Sequence, residues 1–311
     1  MPPAVEIVDL SHSYGDRLAI DRLTLSIQAG EIFAVLGPNG GGKTTLFRVL
    51  STLIPAQRGE VRMLGFGLRR ETDAIRRRLG VVFQAPSLDR KLTVLENIRH
   101  QAALYGLHGE PLQRRIDELL ETFNLKDRAG ELTERLSGGL RRRVELAKGL
   151  IHHPRLLLLD EPSTGLDPGA RADLWNYLTF LRSSAGVTIV LTTHYLDEAD
   201  RADRIAILHQ GKLVAEDTPT ALRNSVGGDS LLIEADDAPR LADEIAQRFS
   251  LPAKIVDEVV RIEVPDGHQW VSRLVEAYPG RITAVRLGKP TLEDVFIART
   301  GHRFWQETGR G

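Results

Sequence analysis

Glu31-Ile32-Phe33-Ala34-Val35-Leu36-Gly37-Pro38-Asn39-Gly40-Gly41-Gly42-Lys43-Thr44-Thr45 is the stretch that decides the fold of this chain. Its first part, Ile32–Leu36, is an unbroken apolar run. Such a run suits a strand buried on both faces, as in a parallel sheet. Its second part, Gly37 to Thr44, matches the pattern G-x-x-x-x-G-K-[ST]. Glycines let the backbone curl until several N–H groups point at one anion, and a helix starting near Thr45 adds the positive end of its dipole. Lys43 brings a point charge to the β- and γ-phosphates, and the Thr44 hydroxyl is placed to ligate Mg²⁺. Gly37, Pro38, Asn39, Gly40, Gly41, Gly42, Lys43, Thr44 and Thr45 are therefore the predicted nucleotide-binding residues.

Upstream, Leu23, Leu25 and Ile27 alternate with Thr24 and Ser26, the period of a half-buried strand. Downstream, helical patterning runs from about Thr93 to His153, with Leu112, Ile116, Leu119, Leu120 and Phe123 on one helix face. Strand patterns return at Leu156–Leu159 and Val187–Leu191. Helical segments alternate with these runs, which predicts an α/β fold with a mostly parallel sheet. The first of the two runs ends in Asp160-Glu161. An acid at the carboxyl end of a buried strand can hold the Mg²⁺ shell across from the phosphate loop, and the next carboxylate can polarise an attacking water. A plain surface Asp-Glu pair is the competing reading; the loop upstream is what tips the balance.

A composition change near residues 222–230 brings Asn, Ser, Gly-Gly and Asp together and predicts a linker at 225–230. Beyond it the pattern predicts a strand (Leu231–Glu234), a helix (Pro239–Phe249), two strands (Ala253–Val256 and Val259–Val264), a helix (His268–Ala277) and a strand (Ile282–Leu287). That order is β-α-β-β-α-β, the ferredoxin-like arrangement. A last helix over Thr291–Arg299 completes a small α+β domain at 231–300, with a tail at 301–311. The first domain is expected at 1–224, with its helical part at about 88–152.

The 311 residues suit about two domains. Hydrophobic residues at 42% and charged residues at 27% exclude a disordered chain. Lys+Arg at 41 balance Asp+Glu at 42, so no global basic field argues for a nucleic-acid partner. The tryptophans likewise form no stacking platform along a basic stripe. No apolar run reaches the roughly 18–20 residues that span a bilayer, and Met1 to Leu10 do not read as a secretory signal. Cysteine is absent, which excludes disulfides, Cys-ligated zinc and thiol chemistry. The basic runs Arg76-Arg77-Arg78 and Arg141-Arg142-Arg143 read as solvated helix faces, and His152-His153 before Pro154 as a helix end rather than a metal pair.

Leu136-Ser137-Gly138-Gly139-Leu140 resembles the signature motif of the ATP-binding-cassette (ABC) ATPases. Gln84 is similar to that family's Q-loop glutamine, Ser163-Thr164-Gly165-Leu166-Asp167 to its D-loop, His194 to its switch histidine and Tyr14 to the aromatic that stacks on adenine. With the two Walker-like segments these lie in the family's order, over residues from about 5 to 220. The resemblance implies a P-loop NTPase: a RecA-like core with an antiparallel β subdomain and a helical signature subdomain. It implies ATP and Mg²⁺ as ligands, Glu161 as general base, His194 and Gln84 as its catalytic companions, and Thr44, Gln84 and Asp160 around the metal. It further implies that Ser137, Gly138, Gly139 and Asp167 serve the nucleotide of a second cassette, in a head-to-tail homodimer or a heterodimer with a related cassette. Leu140 stands where the family usually has Gln, and Gly41 where it more often has Ala or Ser.

Three classes remain distinct: a transport ATPase driving a separate membrane subunit, a soluble ABC ATPase acting on ribosome or DNA, and a regulatory module with little hydrolysis. Lys43, Asp160, Glu161 and His194 together disfavour the last. The short interval from Gln84 to Ser137, with no sustained heptads, disfavours the second. Pro290-Thr291-Leu292-Glu293-Asp294-Val295-Phe296 followed by Thr300-Gly301 resembles the ending of the drug- and polysaccharide-exporting branch, of which the daunorubicin-resistance type is the best-known example. The expectation is an exporter's ATPase at the cytoplasmic face of the membrane, held there by an integral membrane permease on a separate chain. Residues 231–287 are read either as a dimer-stabilising appendage or as a ligand-sensing domain, since a fold implies no function.

Overall fold

The computed structural model describes residues 2–226 and 228–304. Gly227, inside the expected linker, and 305–311, inside the expected tail, lie outside the described residues. The chain divides into two compact units, residues 1–216 and 217–311.

The first unit opens with strands β1 (Val5–Tyr14) and β2 (Arg17–Ile27), joined antiparallel. Burial alternates along β2 from Leu23 to Ile27, as the sequence period requires. Next come β3 (Ile32–Leu36), α1 (Lys43–Leu50), β4 (Arg58–Met63), β5 (Phe66–Gly67), α2 (Thr72–Arg76) and β6 (Leu79–Val82). The helical stretch holds α3 (Val94–Leu104), α4 (Gly109–Thr122) and α5 (Gly138–Leu150), with two 3₁₀ turns between α4 and α5. A reciprocal cap starts α3: Glu96 N–H donates to Thr93 Oγ1 at 3.2 Å, and Thr93 N–H to Glu96 Oε2 at 2.8 Å. Ile116, Leu119 and Leu120 are the buried stripe of α4, and Phe123 follows them inside. The unit closes with β7 (Leu156–Asp160), α6 (Pro168–Ala185), β8 (Thr188–Thr193), α7 (Leu196–Ala199), β9 (Arg204–His209) and β10 (Lys212–Asp217).

These strands make a four-stranded sheet in the order β2-β1-β4-β5 and a six-stranded sheet in the order β10-β9-β3-β8-β7-β6. In the larger sheet β9, β3, β8, β7 and β6 run parallel. Every residue of β3, β7 and β8 is buried, which explains the apolar runs Ile32–Leu36, Leu156–Leu159 and Ile189–Leu191 within them. Each of the four leucines of β7 contributes about 1.5–3 kcal/mol by leaving water. Register then decides where the chemistry falls. Val82 pairs with Leu159, Asp160 with Thr192, and Leu36 with Thr193. The carboxyl ends of β3, β6, β7 and β8 therefore share one edge, and the residues just beyond them are Gly37, Phe83-Gln84, Glu161 and His194. The crevice outside that edge is where open α/β sheets bind ligands.

The second unit contains α8 (Pro219–Asn224), β11 (Asp229–Ala235), α9 (Ala238–Phe249), β12 (Ala253–Val256), β13 (Val259–Val264), α10 (Gly267–Ala277), β14 (Ile282–Gly288) and α11 (Leu292–Thr300). Its sheet order is β12-β13-β11-β14, with every neighbour antiparallel. This is the split βαβ arrangement. Leu231, Ile233, Val260 and Ile262 from the sheet meet Leu241 and Ile245 of α9 and Leu274 of α10 in one core.

Two boundaries differ from the sequence expectation. Strand β11 begins at Asp229, because Asp229 and Ser230 pair with Val264 and Glu263, so the linker reading was too long at its end. Helix α8, placed by sequence in the first domain, falls in the second unit, where it packs against α11 and buries Pro219 and Leu222. Among the described residues no helix is long and apolar enough to cross a membrane.

Candidate functional site

The loop after β3 is shaped by close backbone approaches. A Cβ at Gly37 would run into the Leu208 carbonyl, and one at Gly42, whose φ is 105°, would sit 2.8 Å from the Ala19 carbonyl oxygen. Only glycine tolerates those two positions. Gly42 is also the residue before α1, so the loop delivers its N–H groups at a helix start. Lys43 is 4% exposed. Its ammonium donates to the carbonyls of Gly37 at 2.7 Å and Pro38 at 3.1 Å and lies 3.9 Å from Glu161 Oε1. Burial pulls its pKa down, while the charges of Glu161 and Asp160 push it up.

Asp160 ends β7 and is 7% exposed. Burial raises its pKa, the Thr192 hydroxyl that donates to its Oδ1 at 2.6 Å lowers it, and the Glu161 charge raises it again. Glu161 takes a left-handed backbone, φ 42°, which is uncommon for a side chain of this kind and stores strain at the strand end. Its N–H donates to Thr192 Oγ1 at 3.0 Å, so a single hydroxyl fixes both acids. The Glu161 carboxylate is the hub of the site. Gln84 Nε2 donates to its Oε2 at 3.1 Å, Thr164 Oγ1 donates to the same oxygen at 3.3 Å, and His194 Nδ1 is 3.2 Å from Oε1.

A cleft of about 420 Å³ lies over the loop, lined by Tyr14, Arg17, Asn39 to Thr45, Arg48 and Glu161. That volume is in the range of small-molecule sites. Tyr14 stands at its edge, 45% exposed, with its ring edge-on to His12. A flat aromatic face left open beside a phosphate cradle suits stacking of a base. Thr44, Asp160 and the Gln84 amide oxygen are hard donors of the kind Mg²⁺ takes. Among the described residues no cluster of three or more His, Asp or Glu could hold a metal unaided.

The structure therefore brings together Gln84, Glu161, His194, Asp160 and the loop from Gly37 to Thr45. It does not bring Ser137, Gly138, Gly139 or Asp167 to that cleft. Ser137 caps α5, its Oγ accepting from Leu140 N–H at 3.3 Å. Asp167 caps α6, its Oδ1 accepting from Ala170 N–H at 3.0 Å. These two helix starts face each other: a Cβ at Gly139 would lie 3.1 Å from Ala170 Cβ, and one at Gly138 4.0 Å from the Gly165 carbonyl oxygen.

One expectation fails. Arg142, read as part of a solvated helix face, is only 9% exposed. Its guanidinium donates to the carbonyls of Pro162 at 2.9 Å and Phe83 at 2.8 Å and to Glu145 Oε2 at 2.9 Å. Three acceptors inside the fold outweigh hydration of the charge. Arg143 is committed as well, to Asp173 at 2.5 Å. The available signal was Glu145, set between the apolar Val144 and Leu146 and spaced i,i+3 from Arg142. Thr192 was missed too, and only the strand register, which sets it opposite Asp160, shows its role; Thr164, read only as part of the Ser163–Asp167 segment, reaches Glu161 from the turn after β7. His152 ends the helical region with a ring nitrogen 3.0 Å from the Leu79 carbonyl oxygen and its ring stacked on Tyr105 at 3.8 Å.

The family described as "ABC transporter" matches residues 20–164. A daunorubicin resistance ATP-binding protein of Streptomyces coeruleorubidus is 36% identical over 309 residues, covering 96% of each chain. A Nod factor export ATP-binding protein of Sinorhizobium fredii is 38% identical, covering 96% of this chain and 86% of that one. Among solved structures, a dimeric ATP-binding cassette in a post-hydrolysis state, bound to ADP and Pi, is 29% identical with a TM-score of 0.63. It covers 69% of this chain and 98% of its own.

Proposed function

The chain belongs to the ABC transporter family, and on that footing we propose that it is the ATP-binding and ATP-hydrolysing subunit of an exporter whose membrane-spanning part is a separate chain. The observation that carries this reading is the convergence of Lys43, Gln84, Thr164 and His194 on the Glu161 carboxylate beside the phosphate loop.

In this reading Tyr14 stacks on the adenine, and the backbone N–H groups of Gly37 to Thr45 with Lys43 hold the phosphates. Thr44, Asp160 and Gln84 hold Mg²⁺, which when bound offsets phosphate charge. Glu161 takes a proton from water as its oxygen attacks the γ-phosphorus; the bond to the β–γ bridging oxygen breaks, and ADP and phosphate result. Gln84 and His194 orient the carboxylate and the water. Two copies close head to tail. Ser137, Gly138, Gly139 and Asp167 of one copy complete the site of the other, where bare N–H groups at a helix start complement the γ-phosphate. ATP then drives closure because the closed dimer holds it far better than the open form. The membrane subunit engages the helical region at about 88–152 near Gln84, at the cytoplasmic face, and reopening after hydrolysis resets it.

Glu161→Gln keeps the shape of the hub and removes the base. Turnover should fall by about 10²–10⁴-fold, and gel filtration with MgATP should show a dimer. A folded variant that binds ATP yet stays monomeric would overturn the closure; undiminished turnover would overturn the base assignment. From gently solubilised membranes the native protein should copurify with an integral membrane chain that raises its turnover. Recovery on ribosomes or DNA instead would point to the other class of ABC ATPase.

A further inference from the structure

Arg142 is a buried charge of the first unit. A buried ion pair gains little over an apolar pair of the same volume, so the Arg142–Glu145 pair, 10% and 5% exposed, is better explained by the geometry it imposes. That geometry is specific. Phe83 precedes Gln84 and Pro162 follows Glu161, and one guanidinium binds the carbonyls of both. The two catalytic side chains are themselves joined, Gln84 Nε2 to Glu161 Oε2. Side chains and backbones together thus close a ring with Arg142 at its back.

Helix α5 grips the segment after Gln84 as well. Glu145 Oε1 accepts from Ser87 N–H at 2.6 Å, and Lys148 Nζ donates to the Ser87 carbonyl at 2.8 Å. Arg142 lies one helical turn beyond Gly138, at i,i+4, in the helix whose first residues are Gly138 and Gly139. A planar, two-pronged donor thus ties the first turns of α5 to the carbonyls on either side of the Gln84–Glu161 pair.

We propose that Arg142 is a positioning residue that couples the two nucleotide sites of the dimer: it carries the state of the α5 N-terminus, which serves one ATP, to Gln84 and Glu161, which act on the other. The proposal rests on the dimeric ATPase reading above. It adds a route within one chain by which nucleotide in one site sets the competence of the second.

The test is steady-state ATP hydrolysis against ATP concentration by the full chain, with nucleotide affinity and melting measured alongside. Arg142→Met should lower kcat about tenfold or more, leave the Kd for ATP within about threefold, and bring the Hill coefficient from above 1 down to about 1. Arg142→Lys, which supplies one prong, should recover part of both kcat and cooperativity. Should Arg142→Met fail to fold, Glu145→Gln carries the test: it keeps the volume, weakens the hold on Arg142, and should lower the Hill coefficient. Four results overturn the coupling: a wild-type Hill coefficient of 1, Arg142→Met with wild-type kcat and cooperativity, kcat and ATP affinity falling together with melting temperature, or Glu145→Gln with unchanged cooperativity. A wild-type protein that does not hydrolyse ATP at all would instead defeat the ATPase reading itself.

Discussion

Helices α1 and α5 each begin at a glycine-rich turn, but the two starts are built differently. The start of α1 is enclosed. Lys43 is buried against two loop carbonyls, Gly42 sits under the Ala19 carbonyl, and Glu161 closes one side of the cleft. The start of α5 is open. Ser137 and Gly138 are exposed, and around Gly138 the nearest neighbour of an added Cβ would be 4.0 Å away. The first is a finished cradle within one chain. The second is open to solvent, and under the proposed dimer it is half of a site. In the proposed reading, a single copy holds a phosphate loop with its carboxylate and, apart from it, a helix start that would serve the nucleotide of a second copy.

The same substitution at the two turns should separate them sharply. Gly42→Asp forces a side chain into a backbone with φ 105° and against Ala19, so ATP binding should vanish, with about 1–3 kcal/mol of strain or more lost from stability. Gly138→Asp meets open space, and an acid in the first turn of a helix favours that helix by about 0.3–1 kcal/mol. This variant should melt like the wild type or slightly higher and still bind ATP in its own loop, losing only the part of the affinity that closure adds. It should nevertheless lose turnover by about 10²-fold, because its carboxylate repels the γ-phosphate held by the other copy. Equal loss of ATP binding in both variants, read by nucleotide titration, would erase the distinction between cradle and half-site.

A smaller effect tests how firmly the far end of α5 is tied. Just past it, His152 is held at the Leu79 carbonyl, and burial pulls its pKa down to about 4 from 6.5. The folded ring refuses a proton that the unfolded ring accepts below about pH 6.5. Its contribution to stability is therefore complete above that pH and is lost as the pH falls toward 4. His152→Phe preserves the stack on Tyr105 and should flatten the dependence of melting temperature on pH in that window. An unchanged slope would mean that His152 is not buried in its neutral form.

How much of this the sequence foretold varies by level. The Gly37–Thr44 loop and the Asp160-Glu161 pair were readable because their chemistry depends on neighbours in the chain. So was the β-α-β-β-α-β order of the second unit, whose strands Ala253–Val256 and Val259–Val264 have the expected limits. What escaped depends on partners distant in sequence. Arg142 looks like one of three solvated arginines until β6 and the turn after β7 bring the Phe83 and Pro162 carbonyls to it. Thr192 looks like strand filler until register sets it opposite Asp160. Helix α8 reads as the end of the first domain until α11 covers it. The left-handed backbone of Glu161 has no sequence signal, since glutamate is not a residue that favours it.

The central claim is that two helix starts from different copies close on one nucleotide. The most direct measurement is the mass in solution, with MgATP, of Glu161→Gln and of the same variant also carrying Gly138→Asp. The account predicts a dimer for the first and a monomer with ATP bound for the second. A double variant that dimerises as readily as the single one would contradict it.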